Sequence, residues 1–400
     1  MNGLRCALSL FLIVLPRFSA TYPMYILASI LALTNFGFRG YVKLFWVLLF
    51  FISAFAIRSL GHNLSLGAFL LEFALFIPFI LFLLGASVKG RVSSINIMRA
   101  LNFLVFFESI INMVLNYGFP TNLPYVNFLP DAYGAFYGLG GAKIVTVIGF
   151  FGLMAEYLYR NGRAIAWSWF FLVVASSNFI IPNYVIGILC GVSAVLIVSR
   201  KGFYTWLIFA VVLMVFGGYI TYRFETLNNY MSDELGMHPK IYAYYIVFLM
   251  FVENPLSILI GTGLGQFSGV SALWASEYLA EISTHGIPNL PLFFMSDYHD
   301  EYLGGVLSYV GDSIWYLSSS ANKPYSSFST LLAETGLVVT CFLVYFLRLR
   351  FKSMAIFNVE AKAVFWFCIG LMFLDNWHDS PWLGFCLITF SGFEERSDAS

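Results

Sequence analysis

The feature that most constrains this chain is a succession of long apolar runs separated by polar breaks only a few residues long. A hydrocarbon layer of about 30 Å takes roughly 20 apolar residues as a helix. Backbone polar groups there must be satisfied within the segment, so the runs read as helices packed in a bundle. Reading from break to break gives twelve candidate spans: 4–16, 21–37, 41–57, 66–87, 100–117, 135–158, 164–181, 183–199, 203–220, 327–347, 361–375 and 381–393. The first and last are the shortest. Pro182 alone separates 164–181 from 183–199, which predicts a tight helical hairpin. Composition agrees: 60% of residues are hydrophobic and 10% charged, against about 25% charged in soluble domains. So few charges cannot solvate a water-exposed fold, and with a formal net charge of zero they exclude a disordered chain and a nucleic-acid binder.

Lys and Arg sort the loops into two sets, and basic loops stay on the cytoplasmic side. With the N-terminus inside, that side receives Arg5, Arg39, Lys43, Lys89, Arg91, Arg99, Arg160, Arg163, Arg200, Lys201, Arg348, Arg350, Lys352, Lys362 and Arg396. The outer side receives Arg17, Arg58, Arg223, Lys240 and Lys323, together with all five His. Both termini are therefore expected in the cytoplasm. Arg5, the apolar run Cys6–Leu15 and the small residues Ser19 and Ala20 could pass for a secretory signal; in a polytopic chain they read as an uncleaved first anchor. The five Cys all lie in apolar segments without metal-like spacing and read as buried thiols.

The interval 221–326 divides the chain into an N-terminal bundle (1–220), an external loop and a C-terminal set of spans (327–400). Loops this long are functional or disordered, and the Leu, Phe, Tyr and Trp throughout it argue for a folded cap over the outer end. Within it, Ile241–Val252 is apolar but only about 18 Å long as a helix before Glu253-Asn254-Pro255 stops it. It reads as a helix lying along the outer face. Gly261-Thr262-Gly263-Leu264-Gly265 lacks the Gly-Lys-Ser/Thr of a phosphate loop and reads as a sharp turn. Asp297-Tyr298-His299-Asp300-Glu301 has oxygen and imidazole donors, but such a run is more often a solvated loop than a metal site. No metal or cofactor is expected.

Ionisable residues at membrane depth face a partner or a cavity. Three stand out: Glu72, Glu108 and Lys143. Lys143 follows Gly138-Leu139-Gly140-Gly141, which admits close approach. It either meets an anionic group of a ligand, or pairs with Glu108, or snorkels outward. Arg223 opens the external loop at headgroup height, suited to bidentate contact with a phosphate, with Lys323 as the matching base at the loop's far end.

Several segments together resemble the O-antigen polymerase and ligase superfamily. They are Arg223-Phe224-Glu225, Glu253-Asn254-Pro255-Leu256, Gly261-Thr-Gly-Leu-Gly-Gln-Phe267 and Tyr325-Ser-Ser-Phe-Ser-Thr-Leu-Leu-Ala-Glu334-Thr-Gly336, in that order, with Asp131-Ala-Tyr-Gly134 through Lys143 before them. The resemblance covers roughly 130–390. Ligases of the superfamily carry His-Asn ahead of the Leu-Leu-Ala-Glu run; here Tyr325-Ser326 stands there, which favours the polymerase branch. The resemblance implies an all-α, GT-C-like polytopic enzyme of the bacterial inner membrane. It would join undecaprenyl-diphosphate-linked repeat units into O-antigen or capsule, without a metal, beside a chain-length regulator protein. Arg223, Lys143 and Lys323 would neutralise the departing diphosphate. Arg58, Lys240, Tyr325 and Trp315 would hold substrate; the loop aromatics, Trp274 and Tyr302 among them, read either as sugar-stacking faces or as interfacial anchors. Glu334 and His299 are the candidates for general base. The alternatives are a ligase, a flippase for the same lipid-linked glycan, and a secondary transporter, although no internal repeat supports the last.

Overall fold

The computed structural model describes residues 38–88, 91–117, 141–160, 166–180, 184–198, 239–268, 294–303, 326–355, 359–377 and 380–394. Among the described residues the protein is helical and contains no strand. The helices are α1 (Phe38–Ser59), α2 (Leu66–Leu83), α3 (Arg91–Tyr117), α4 (Gly141–Arg160), α5 (Ala166–Ile180), α6 (Val185–Val198), α7 (Pro239–Glu253) and α8 (Leu256–Ile260). They continue with a short α9 over 297–303, then α10 (Ser327–Ala355), α11 (Val359–Leu374), α12 (Pro381–Ser391) and a closing 3-10 turn Gly392–Glu394. Among the described residues, four segments are long and apolar enough to cross a membrane: Tyr41–Ser59, Leu66–Leu83, Val92–Ile111 and Ser327–Ser353. Shorter apolar helices accompany them in α5, α6, α7 and α12. The expected spans 4–16 and 203–220, span 21–37 and the Pro182 turn lie outside the described residues.

Helix limits depart from the apolar runs where hydropathy and helix formation obey different rules. α3 starts at Arg91, well before the run at 100, because a helix does not stop where its residues become polar. α2 ends at Leu83, short of 87, where Gly85 at φ 99° turns the chain. α10 contains a break at Gly336 (φ 82°, ψ 165°), directly after Glu334-Thr335 and inside the run 327–347 that reads as one unbroken span.

The core is aromatic. Phe150 of α4 stacks on Phe367 of α11 at 3.9 Å between ring centroids, and Phe151 meets the edges of Phe367 and Phe390. The broadest helix pairs are α4 with α5, α6 with α11 and α2 with α12. Two of them depend on missing side chains. A Cβ on Gly149 would stand 2.4 Å from the Phe179 amide nitrogen, and one on Gly384 would stand 2.6 Å from that of Phe79. Small residues at such crossings let backbones approach where no hydrophobic force drives helices together. Of the cysteines, Cys190, Cys368 and Cys386 are buried as expected; Cys341 is exposed on α10, because its helix turns that face away from the bundle.

The helix ends separate into two sets, as alternate crossing requires. One end holds Arg58, Lys143, Tyr184, the turn after α8, the start of α10 and the end of α11, joined by hydrogen bonds and an ion pair. The other holds Arg99, Glu156 and Ser168, with Val88 donating to Ile388 and Ser391 to Ala86. At the first end α7, the glycine turn and α9 build a small separate core of Ile246, Val247, Met250, Phe267 and Leu303 on Ala333 of α10.

Candidate functional site

The site grows from the break after α7. Asn254 closes that helix by donating its N–H to Met250, and α8 runs one turn further to Gly261, whose φ of 66° reverses the chain. The turn then docks on α10. Thr262 N–H donates to Ala333 O at 2.8 Å and Gly263 N–H to Glu334 O at 2.9 Å. The two backbones touch: a Cβ on Gly336 would lie 2.8 Å from Gly261 N, Ile258 O and Ser257 O.

Glu334 is buried here and acts as an acceptor. Its Oε2 takes the Gly265 N–H at 2.7 Å, and its Oε1 takes those of Phe267 and Ser268 at 3.1 Å each. One carboxylate thereby organises the whole glycine turn. Gln266 ties the turn to the α1–α2 connection, accepting from Ser65 N–H and donating to Ser65 O. The start of α10 is capped reciprocally: Ser326 N–H donates to Ser329 Oγ and Ser329 N–H to Ser326 Oγ. Ser326 thus serves as a helix cap.

Arg58 reaches the same turn from the end of α1. Its Nε donates to Gly261 O at 2.6 Å, Nη1 to Asn254 Oδ1 and the Tyr298 hydroxyl, and Nη2 to Ser257 Oγ at 2.8 Å. At 4% exposure it is a buried cation held by neutral oxygens. These bonds clamp α8 and α9 to α1.

His299 lies on α9 at 1% exposure. Phe267 O accepts from its ring Nδ1, which fixes the proton on that nitrogen. Its Nε2 is buried and has no hydrogen-bond partner among the described residues. Burial pushes its pKa below the ordinary histidine value. Neighbouring Asp297 accepts from the Asn63 N–H at 2.7 Å. Among the described residues no three His, Cys, Asp or Glu side chains gather as metal ligands would.

Lys143 stands at the start of α4, half-buried. It pairs with Asp375, at 3.5 Å, and not with Glu108, which was one of the alternatives; its ammonium lies 5.2 Å from the Trp377 ring. Asp375 also accepts from the Tyr184 hydroxyl at 2.7 Å and the Asn376 N–H at 2.8 Å. This cluster joins the glycine turn through α10, because Ser327 N–H donates to Asp375 O while Ser327 Oγ accepts the Trp377 N–H. Lys143, His299, Glu334 and Arg58 thus share one end of the bundle. Arg223, Lys323, Tyr325 and Trp315 lie outside the described residues. Lys240 lies in the first turn of α7, with its side chain outside them.

Sequence reasoning missed two buried groups. Asp375, Tyr184 and Trp377 sit at the ends of apolar runs, where their types pass for ordinary interface residues. At the opposite end Glu156 takes the Arg99 guanidinium on both oxygens, the longer contact at 2.9 Å, and also accepts from Ser168. Behind it Asn178 donates to Asn102 O and Oδ1. A carboxylate within the run 135–158 was the available signal.

The fold defines the class: among the described residues, an all-helical protein with four helices long and apolar enough to cross a membrane and a small folded unit at one end. Beyond that class, no protein-family model, no curated protein and no solved structure matches the chain.

Proposed function

We propose that this protein polymerises undecaprenyl-diphosphate-linked oligosaccharide repeat units into surface polysaccharide at the outer face of a bacterial inner membrane. The observation that carries the reading is the interlock of two segments that resemble the O-antigen polymerase superfamily. Gly261–Phe267 and Ala333–Gly336 are far apart in sequence, yet Glu334 holds the amides of Gly265 and Phe267, and Gly261 fits against Gly336. The same end carries Lys143, whose ion pair with Asp375 is long at 3.5 Å. Asp375 keeps two other donors, so the ammonium can turn to a diphosphate without stranding that carboxylate.

In this reading about twelve spans cross the membrane with both termini in the cytoplasm, and 221–326 caps the outer end. The acceptor hydroxyl of one lipid-linked unit attacks the reducing-end anomeric carbon of the other chain. The C–O bond to the carrier breaks, and the electron pair leaves with the diphosphate. Lys143, with Arg223 and Lys323, neutralises that charge. Anchoring two amphiphiles in one leaflet supplies the effective concentration, and a chain-length regulator sets when extension ends.

The test is deletion of the gene in its host, with surface polysaccharide displayed on a gel. A single repeat unit on the lipid core supports polymerisation. Bare core with polymer accumulating on its carrier makes the protein a ligase, and an unchanged ladder refutes both.

A further inference from the structure

Polymerisation as proposed above needs a group to receive the acceptor's proton, and the two candidates named from the sequence, Glu334 and His299, both lie at this end. They are not equivalent. Both oxygens of Glu334 are committed to backbone amides, three in all. A carboxylate so held is fixed in place by its donors. Moving it to meet a substrate would strand three buried N–H groups. Its place is to shape the turn.

His299 has the complementary arrangement. A carbonyl oxygen can only accept, so the contact between Nδ1 and Phe267 O puts the hydrogen on Nδ1. In the neutral ring, Nε2 then carries a bare lone pair, and this atom is the one with no partner among the described residues. Buried polar atoms are nearly always paired, so an orphan requires a reason. An imidazole whose tautomer is fixed through one nitrogen while the other is open is arranged to take a proton. The carbonyl that fixes it belongs to Phe267, whose own N–H is held by Glu334. The same turn that resembles the superfamily's motif thus orients the ring.

We infer that His299 Nε2 is the atom that takes the proton from the acceptor sugar's hydroxyl. This rests on the polymerase reading. As the new C–O bond forms at the anomeric carbon, the hydroxyl hydrogen passes to Nε2 and the ring becomes an imidazolium. The leaving pair departs on the diphosphate, and the proton is later released to water. Glu334 is a positioning residue acting through the turn.

The test uses full-length protein in proteoliposomes, with lipid-linked oligosaccharide extracted from the host's own membranes. His299→Asn is the informative variant, because its amide nitrogen stands where Nδ1 stood and can still donate to Phe267 O, while Nε2 is gone. The rate at saturating substrate should fall on the order of 10²- to 10⁴-fold, with KM little changed. The wild type should show an acid limb in its pH–rate profile below the ordinary histidine value, and in the variant that limb should disappear. Three charged groups bear on that limb. Asp300 raises the ring's proton affinity, Glu334 holds the Phe267 amide, and Arg58 of α1 binds the adjacent Tyr298. Amide exchange over 261–268 reports whether the variant has kept its fold; if the Asn variant has not, His299→Gln is read in the same way. A folded variant with the wild-type rate and acid limb overturns the assignment while leaving polymerisation standing. Wild-type protein that lengthens nothing overturns both.

Discussion

Replacing Glu334 by alanine removes the acceptor for three buried amides at once. The Gly265 N–H is 2.7 Å from one carboxylate oxygen, and those of Phe267 and Ser268 are each 3.1 Å from the other. A buried donor left unsatisfied costs about 1–3 kcal/mol. Taking the lower bound for each, the closed turn loses at least about 3 kcal/mol, and every 1.4 kcal/mol is tenfold in the opening equilibrium. Amide exchange in 261–268 should therefore quicken by at least about 100-fold in lipid nanodiscs, measured by hydrogen exchange and mass spectrometry. Exchange in the second half of α10, beyond Gly336, should not change, because that segment packs on other helices. Glu334→Gln should fall between the two: it keeps one acceptor oxygen but turns an N–H₂ group toward donors. Unchanged exchange over 261–268 in the alanine variant would refute the claim that this carboxylate organises the turn.

Three further outcomes follow from the same structure. Gly336→Ala should lower the thermal unfolding midpoint more than Gly85→Ala. Both sit at positive φ, where a side chain costs about 1–2 kcal/mol, but only at Gly336 does a Cβ also meet backbone atoms at 2.8 Å; equal losses would deny the close approach. Arg99→Met should destabilise by about 3–5 kcal/mol because it leaves Glu156 buried and unpaired, and adding Glu156→Met should recover part of that. Strict additivity in the unfolding of the double variant would dissolve the pair. His299 is neutral in the fold with a pKa below its ordinary 6.5, and burial is the main cause. Its contribution to stability is thus full above about 6.5 and is lost as pH falls through the lower folded value, since the unfolded chain binds the proton first. His299→Asn should flatten that decline, and an identical pH–stability curve in wild type and variant would contradict it.

The parts of the fold legible in the sequence were those that solvent alone decides. Apolar runs between polar breaks predicted helices at 41–57, 66–87 and 327–347, and helices lie there. Glu253-Asn254-Pro255 predicted the end of α7, because proline has no N–H to continue the ladder, and Gly261 to Gly265 predicted the turn. The partners across the bundle were not legible. Lys143 finds Asp375, not Glu108, because helix order in space and not distance in sequence sets who meets whom. The role of Glu334 was hidden for another reason: its partners are backbone amides, which leave no mark on residue type. Gly336 was legible as the end of the Ala-Glu-Thr-Gly segment, but only the turn packed against it shows why glycine is obligatory there.

The most direct measurement places the purified protein in proteoliposomes with undecaprenyl-diphosphate-linked repeat units in the same leaflet and a chelator present. The account predicts a ladder of longer glycans still on the carrier, with one undecaprenyl diphosphate released for each unit added. Repeat units that are recovered at their original length, whether left in place or moved to the other leaflet, would contradict it.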